Sequence, residues 1–290
     1  MKSRYFIAGI IFLMLFCLNG CQRQTESKSH PLSQTTQKTA KKTEQAVTTA
    51  EKTSPKEESN STAAVQPYSW YFTRNSQHQI PYVNQDICKL LAANNAFYVL
   101  PNNSNKIYLT FDAGYELGYT AQILDTLKSN GVHAAFFITG QYLHTQPELV
   151  KRMKAEGNLV CNHTLNHPDC ARITSTRMEG EMVSLQQEYR QLTGQEIDHY
   201  FRPPMGNYSE SSLQTANKLG YKTVFWSIAF NDWDPSKQPG ADYSFQHVAA
   251  NIHPGAVILL HAVSQSDTDA LDRIIKYLQG QGYVFATFAE

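Results

Sequence analysis

The chain has 290 residues, with 25 basic and 25 acidic side chains, 41% hydrophobic and 11% aromatic residues, and no net formal charge. These averages conceal three unlike segments: residues 22–66 contain no aromatic residue and no glycine, while 29 of the 33 aromatics fall between 67 and 290. Only that last stretch has the apolar content for a core, enough for one sizeable domain and too little for two large catalytic ones. Its 16 basic against 20 acidic side chains give a formal charge of −4, which argues against a nucleic-acid binder.

In chain order, Lys2 and Arg4 precede the apolar run Tyr5 to Leu18, the layout of an export signal over residues 1–20. The run is shorter than the ~18–20 apolar residues that cross a bilayer, which favours a cleaved signal over an uncleaved anchor. It ends Leu18-Asn19-Gly20-Cys21, which resembles a bacterial lipobox, the alternative being a chance cysteine. Lipidation at Cys21 would anchor the exported chain at the outer face of the cytoplasmic membrane, beside the cell wall. From 21 to 66 the chain is Thr, Ser, Gln, Lys and Glu, with Leu32, Val47 and Val65 as its branched aliphatics. That composition predicts a disordered tether with ends about 40 Å apart.

Residues 67–105, with Trp70, Tyr71 and Phe72 followed by Pro81 and Pro101, are expected to pack on the outside of the domain that follows. Over 106–290 seven apolar runs read as strands: Lys106 to Phe111, His133 to Ile138, Asn158 to Asn162, Asp198 to Phe201, Tyr221 to Ile228, Ala256 to Leu260 and Tyr283 to Phe288. Helical periodicity fills the gaps at Tyr119 to Ser129, Pro147 to Glu156, Ser175 to Leu192, Glu210 to Leu219, Phe245 to Asn251 and Asp267 to Gln279. Such alternation implies parallel strands joined by right-handed crossovers, as an open sheet or a closed barrel. The polar residues decide between them. Asp112, His163, Arg202, Asp232 with Trp233, and His261 each fall at or just after a strand end, and a barrel gathers such residues on one rim more readily than an open sheet does. The fold class is therefore α/β, a deformed β/α barrel of seven strands with an N-terminal extension. Cys88, Cys161 and Cys170 are an odd number and cannot form a complete disulfide framework; Cys161 and Cys170 could pair, touch a metal, or stand as buried thiols.

His163 and His167 are four residues apart, a spacing that lets two imidazoles face one metal ion but that alone fits solvated or core histidines as well. Around them, in chain order, stand Thr110-Phe111-Asp112-Ala113-Gly114-Tyr115-Glu116, Arg202-Pro203-Pro204-Met205-Gly206, Asp232-Trp233 and Leu259-Leu260-His261. This ordered set resembles the five motifs of the NodB-homology polysaccharide deacetylases over residues 105–290. Tyr115-Glu116, Asn162-His163-Thr164, Phe225-Trp226-Ser227, His261-Ala262-Val263-Ser264 and the Trp70-Tyr71-Phe72 and Arg74-Asn75 pairs before the barrel are similar to the branch that deacetylates muramic acid on the way to its δ-lactam in spore cortex.

The resemblance implies a deformed seven-stranded barrel and a metal-dependent hydrolase that removes N-acetyl groups from peptidoglycan sugars, N-acetylmuramic acid foremost. It implies Asp112 as general base, His261 as general acid charged and oriented by Asp232, and Arg202 paired with Asp112. The Met205 backbone N–H would meet the oxyanion, and Trp233 and Leu259 would line the acetyl pocket. His163 and His167 would hold a divalent metal, with zinc the expected ion. Where most of the family carries a second aspartate as third ligand this chain has Ala113, which predicts weakly held metal, with water, Asp112, Cys161 or Asp169 in the third place. Implied partners are peptidoglycan strands and the membrane through the lipid anchor, for a monomer that binds no nucleic acid. Two rival functions remain: a carbohydrate-binding pseudoenzyme without metal, and a deacetylase of chitin-like or N-acetylglucosamine polymers.

Overall fold

The computed structural model describes residues 67–100 and 105–289; the signal at 1–20, Cys21 and the tether at 21–66 lie outside them. The N-terminal extension forms β1 (Tyr68–Ser69), α1 (Gln85–Ala93) and β2 (Ala96–Phe97). The barrel begins with β3 (Lys106–Ala113), α2 (Thr120–Ser129), β4 (Ala135–Ile138), α3 (Gly140–Thr145), α4 (Pro147–Ala155) and β5 (Leu159–Asn162). It continues with α5 (Ser175–Thr193), β6 (Asp198–Phe201), a short turn of helix at Pro204–Gly206, β7 (Asn207–Tyr208), α6 (Glu210–Lys218) and β8 (Lys222–Val224). Then follow α7 (Ala241–Asn251), β9 (Val257–His261), α8 (Gln265–Gly280) and β10 (Val284–Phe285).

Strands β3, β4, β5, β6 and β8 are neighbours in that order, all parallel, and β9 lies along the other edge of β3 with Asp112 opposite His261. The ring closes between β8 and β9 through one bridge, Ile228 to Ile258, supported by Leu259 N–H donating to the Ile228 carbonyl at 2.9 Å. The seventh strand does not enter this ring on its own. β10 pairs with Lys106 and Ile107 at the start of β3, below the stretch that β9 occupies, and this shared edge is the deformation of the barrel. The expected strands Tyr221 to Ile228 and Tyr283 to Phe288 are shorter, as β8 and β10, and beyond β8 the chain turns to β9, where the Ser227 N–H donates to the Val257 carbonyl at 3.0 Å; β2, α1 and α3 were not expected from periodicity.

The extension does more than pack outside. β2 joins the sheet beside β8, β1 pairs antiparallel with β7, and the Trp70 indole donates to the Trp226 carbonyl at 3.0 Å while stacking on Phe225 at 4.5 Å. Gly206 permits this approach, since it has φ 68° and a Cβ there would come within 2.8 Å of the Trp226 ring.

Strand alternation sorts side chains into two layers. Ile107, Leu109, Phe111 and Ala113 of β3, with Phe136 and Ile138 of β4 and Ile258 and Leu260 of β9, join the layer under the helices. Tyr108, Phe137, Cys161 and Val257 form the inner cluster. Thr110 and Asp112 share the parity of Tyr108, as Leu259 and His261 share that of Val257, so the inner row ends in polar groups at the C-terminal rim.

Candidate active site

Asp112 is at the end of β3 and only 8% exposed. Its Oδ1 accepts from Arg202 Nη1 at 2.8 Å, and Arg202, fully buried, also donates through Nε to the Val224 carbonyl and lies 4.1 Å over the Phe137 ring. Burial alone would raise the Asp112 carboxyl, but Arg202, with help from His163 and His261, holds it below the ordinary aspartate range. The group is a carboxylate at neutral pH.

His163 follows β5. Its Nδ1 is 2.8 Å from the Arg202 carbonyl, an acceptor only, so Nδ1 carries the proton and the Nε2 lone pair is left to face Asp112 Oδ2 at 3.6 Å. Burial lowers this imidazole to about 4 and lowers His167 also, so both are neutral at pH 7. Their rings are 5.0 Å apart at 72°. The turn between them is held by Asn162 accepting from Thr164 N–H and by Thr164 accepting from His167 N–H, with Thr164 and His167 both at positive φ. Such strained backbone persists where the surroundings over-determine it.

These features fit a divalent ion: two neutral imidazoles, one with its far nitrogen pinned by a carbonyl in the usual manner of metal-bound histidine. Among the described residues no set of three His, Cys, Asp or Glu side chains surrounds one point. Ala113 packs in the helix-side layer. Cys161 faces the inner cluster with its thiol pushed well up by burial, and Asp169 is engaged by Ala171 N–H at 3.0 Å and Arg172 at 3.2 Å. Cys161, Cys170 and Cys88 are free thiols. Of the third positions expected, Asp112 is paired with Arg202 and completes no such set, which leaves water. Metal held by two protein ligands should leave readily: dialysis against a chelator is expected to strip it within the time a three-ligand site would retain it, and His163→Ala should abolish zinc retention measured by equilibrium dialysis. Unchanged retention in that variant would place the ion elsewhere.

Across β3 and β9, His261 Nδ1 bonds Asp232 Oδ1 at 2.8 Å, and the His261 backbone N–H donates to Oδ2 at 2.8 Å. Burial would lower this imidazole, but Asp232 outweighs it and raises it above the ordinary histidine value. Two groups that sequence reasoning missed support the pair. Gln238 donates to the carbonyls of Asp232 and Asp234 and accepts from Ser264 and Ser266, tying this loop to the start of α8. Asp267, 1% exposed, has its carboxyl pushed well above the ordinary aspartate range by burial and by the neighbouring Asp232 carboxylate. Its only sequence signal was a serine three residues earlier, the mark of a helix start.

Met205, at φ 58°, Trp233, 55% exposed, and Leu259 line one groove with Asp112, His163, His167 and His261. Its volume is about 1370 Å³, room for several sugar rings. Glu116 fixes the loop beneath it, accepting from Gly118 N–H, the Thr120 hydroxyl and the Tyr142 hydroxyl. The structure thus brings every expected barrel residue to one rim, while Cys21 lies outside the described residues.

Buried histidines make an acid-stability prediction. Burial depresses His163 and His247 to about 4 and lowers His253, so the unfolded chain takes up protons more readily below pH ~6.5. Their contribution is complete above ~6.5 and is lost as pH falls toward 4; His261 and Asp267, both raised, oppose it. The urea midpoint should therefore be lower at pH 5 than at pH 7, and equal midpoints would contradict the neutral burial of these rings.

A parallel barrel with a carboxylate, a paired imidazole and a histidine turn at the C-terminal rim defines a hydrolase site. The chain belongs to the polysaccharide deacetylase family, the hydrolases of carbohydrate esterase family 4: the polysaccharide deacetylase profile matches residues 100–224. It is 42% identical over 220 residues to the peptidoglycan-N-acetylmuramic acid deacetylase PdaA of Bacillus subtilis, covering 76% of this chain and 84% of that one. An uncharacterized 30.6 kDa protein of Geobacillus stearothermophilus is 47% identical over 227 residues, 78% of this chain and 86% of that one. The solved structure of Bacillus subtilis PdaA superposes with a TM-score of 0.75 at 42% identity, over 77% of this chain and 96% of that chain. The family and the deformed barrel read from the sequence are both found.

Proposed function

We propose that the protein is a metal-dependent de-N-acetylase of peptidoglycan acting on N-acetylmuramic acid, in preparation for δ-lactam formation, and that it works outside the cell from a lipid anchor at Cys21. The observation that carries this is the pairing of two opposed acid–base units, Asp112 with Arg202 and His261 with Asp232, in register on adjacent strands over one groove. Similarity to a peptidoglycan-N-acetylmuramic acid deacetylase supports the choice of sugar.

Amide hydrolysis needs a base for water, a donor for the growing oxyanion and an acid for the departing amine. Asp112, ionised beside Arg202, takes the proton from water. His261, its imidazolium favoured by Asp232, delivers a proton to the sugar nitrogen as the C–N bond breaks. The Met205 N–H faces the acetyl oxygen, and Trp233 and Leu259 enclose the methyl group. His163 and His167 would hold a divalent ion, zinc foremost, which would supply Lewis acidity and acidify water.

The test is acetate release from stem-free glycan strands by the purified protein, with chelator and with added zinc. Release that chelation stops and zinc restores, with the mass loss on muramic residues, is the expected result. Loss on N-acetylglucosamine residues alone would replace the substrate, and glycan binding with no turnover would favour a pseudoenzyme.

A further inference from the structure

The groove is walled on one side by the N-terminal extension, and that wall carries Arg74, the one Lys or Arg side chain among the groove's described lining residues. Its position is built rather than incidental. Trp70 N–H donates to the Gly206 carbonyl at 2.8 Å, and Thr73 and Tyr82 exchange backbone hydrogen bonds at 2.9 Å, so the strand bearing Arg74 is fixed on both sides. Asn75 then closes the following loop by accepting from the Gln77 and Gln79 N–H groups, and His78 Nδ1 ties that loop to the Ile252 carbonyl at 2.8 Å.

Arg74 has an unusual partner. Its Nη1 donates to His247 Nε2 at 3.0 Å, a neutral imidazole that bonds the Ala229 backbone and packs on Phe230 with ring centres 4.8 Å apart. An imidazole acceptor orients the guanidinium without neutralising it. The remaining N–H groups and the full positive charge are presented to a groove whose one described acidic lining residue, Asp112, is already paired with Arg202, and Asp232 behind it is paired with His261. A planar fork of donors with uncompensated charge is suited to a carboxylate.

The location selects which carboxylate. Phe230, which carries the His247 ring, is two residues before Asp232, so Arg74 belongs to the same wall as the His261–Asp232 pair that serves the leaving nitrogen. In a muramic residue the acetamido group is on C2 and the lactyl ether on C3, so the carboxylate is held one ring carbon from the nitrogen that departs. We infer that Arg74 is a specificity-determining residue that binds the lactyl carboxylate of the sugar being deacetylated, separating muramic from glucosamine residues. The inference rests on the deacetylase reading above.

The experiment measures kcat and KM for acetate release by the metal-loaded protein on two oligomers of alternating N-acetylglucosamine and N-acetylmuramic acid, one with free lactyl carboxylates and one with those carboxyls converted to neutral amides. Arg74→Gln is expected to raise KM for the free-carboxylate oligomer roughly ten- to hundred-fold, the span of a charge-assisted hydrogen bond, with kcat little changed. Arg74→Lys should recover most of that loss, and the amidated oligomer should show the same KM with wild type and with Arg74→Gln. Lys276→Gln, which removes a positive charge on α8 that pairs with Asp272 and is not among the groove's lining residues, should change KM for neither substrate. An unchanged KM for the carboxylate oligomer in Arg74→Gln overturns the inference, and so does an equal rise for both oligomers, which would mark a merely structural role. Wild type that deacetylates muramic residues with one KM for both oligomers overturns the inference and leaves the deacetylase reading standing. Release from N-acetylglucosamine residues alone overturns both.

Discussion

Asp112→Asn is expected to lower kcat for acetate release by roughly 10²–10⁴-fold, the usual worth of a positioned general base. KM should change little, because an amide fills the same volume and its oxygen can still accept from Arg202 Nη1, which is 2.8 Å from Oδ1 in the native protein. The loss is therefore of a group that acts in the transition state, and kcat and kcat/KM should fall together. Circular dichroism should show the native fold, since the neighbours of Asp112 in β4 and β9 are backbone partners that the substitution leaves intact. Turnover within tenfold of wild type would move the base to another residue.

The second large effect concerns Arg202, which is fully buried with its charge facing Asp112, the Phe137 ring and the Val224 carbonyl. Arg202→Met should cost about 3–5 kcal/mol, because it strands the Asp112 carboxylate in a site only 8% exposed. The carboxyl would escape part of that cost by taking up a proton, so the variant should lose activity at neutral pH as well as stability. Asp112→Asn combined with Arg202→Met removes both charges and should be more stable than Arg202→Met alone, since replacing a whole buried pair is far less costly than breaking it. Urea denaturation of the three variants measures the coupling. Additive losses would show that the two side chains do not share a buried charge pair.

Much of this protein was legible in its residue order. Parallel strands read clearly because buried on both faces they are continuous apolar runs, as in Lys106 to Phe111, and because glycine closes several of the helices between them, as Gly194 does at φ 70°. The rim residues were legible because a barrel makes strand ends equivalent, so Asp112, His163, Arg202, Asp232 and His261 could be assigned to one face from position alone. The strands of the extension were not, because β1 and β2 have two residues each and owe their pairing to β7 and β8 rather than to any period of their own.

What only the tertiary structure decided is electrostatic and long-range. A sequence does not say that the Arg202 carbonyl, not its guanidinium, fixes the His163 tautomer, or that Asp267 is pressed against Asp232 from the start of α8. Nor does it say that Arg74, 173 residues from His247 along the chain, is held by that ring on the groove wall. Sequence determined which groups can ionise, bond or ligate and in which element each resides. Burial and the partner opposite, set by packing between segments far apart in the chain, determined which of them are charged, which are neutral and toward what they point.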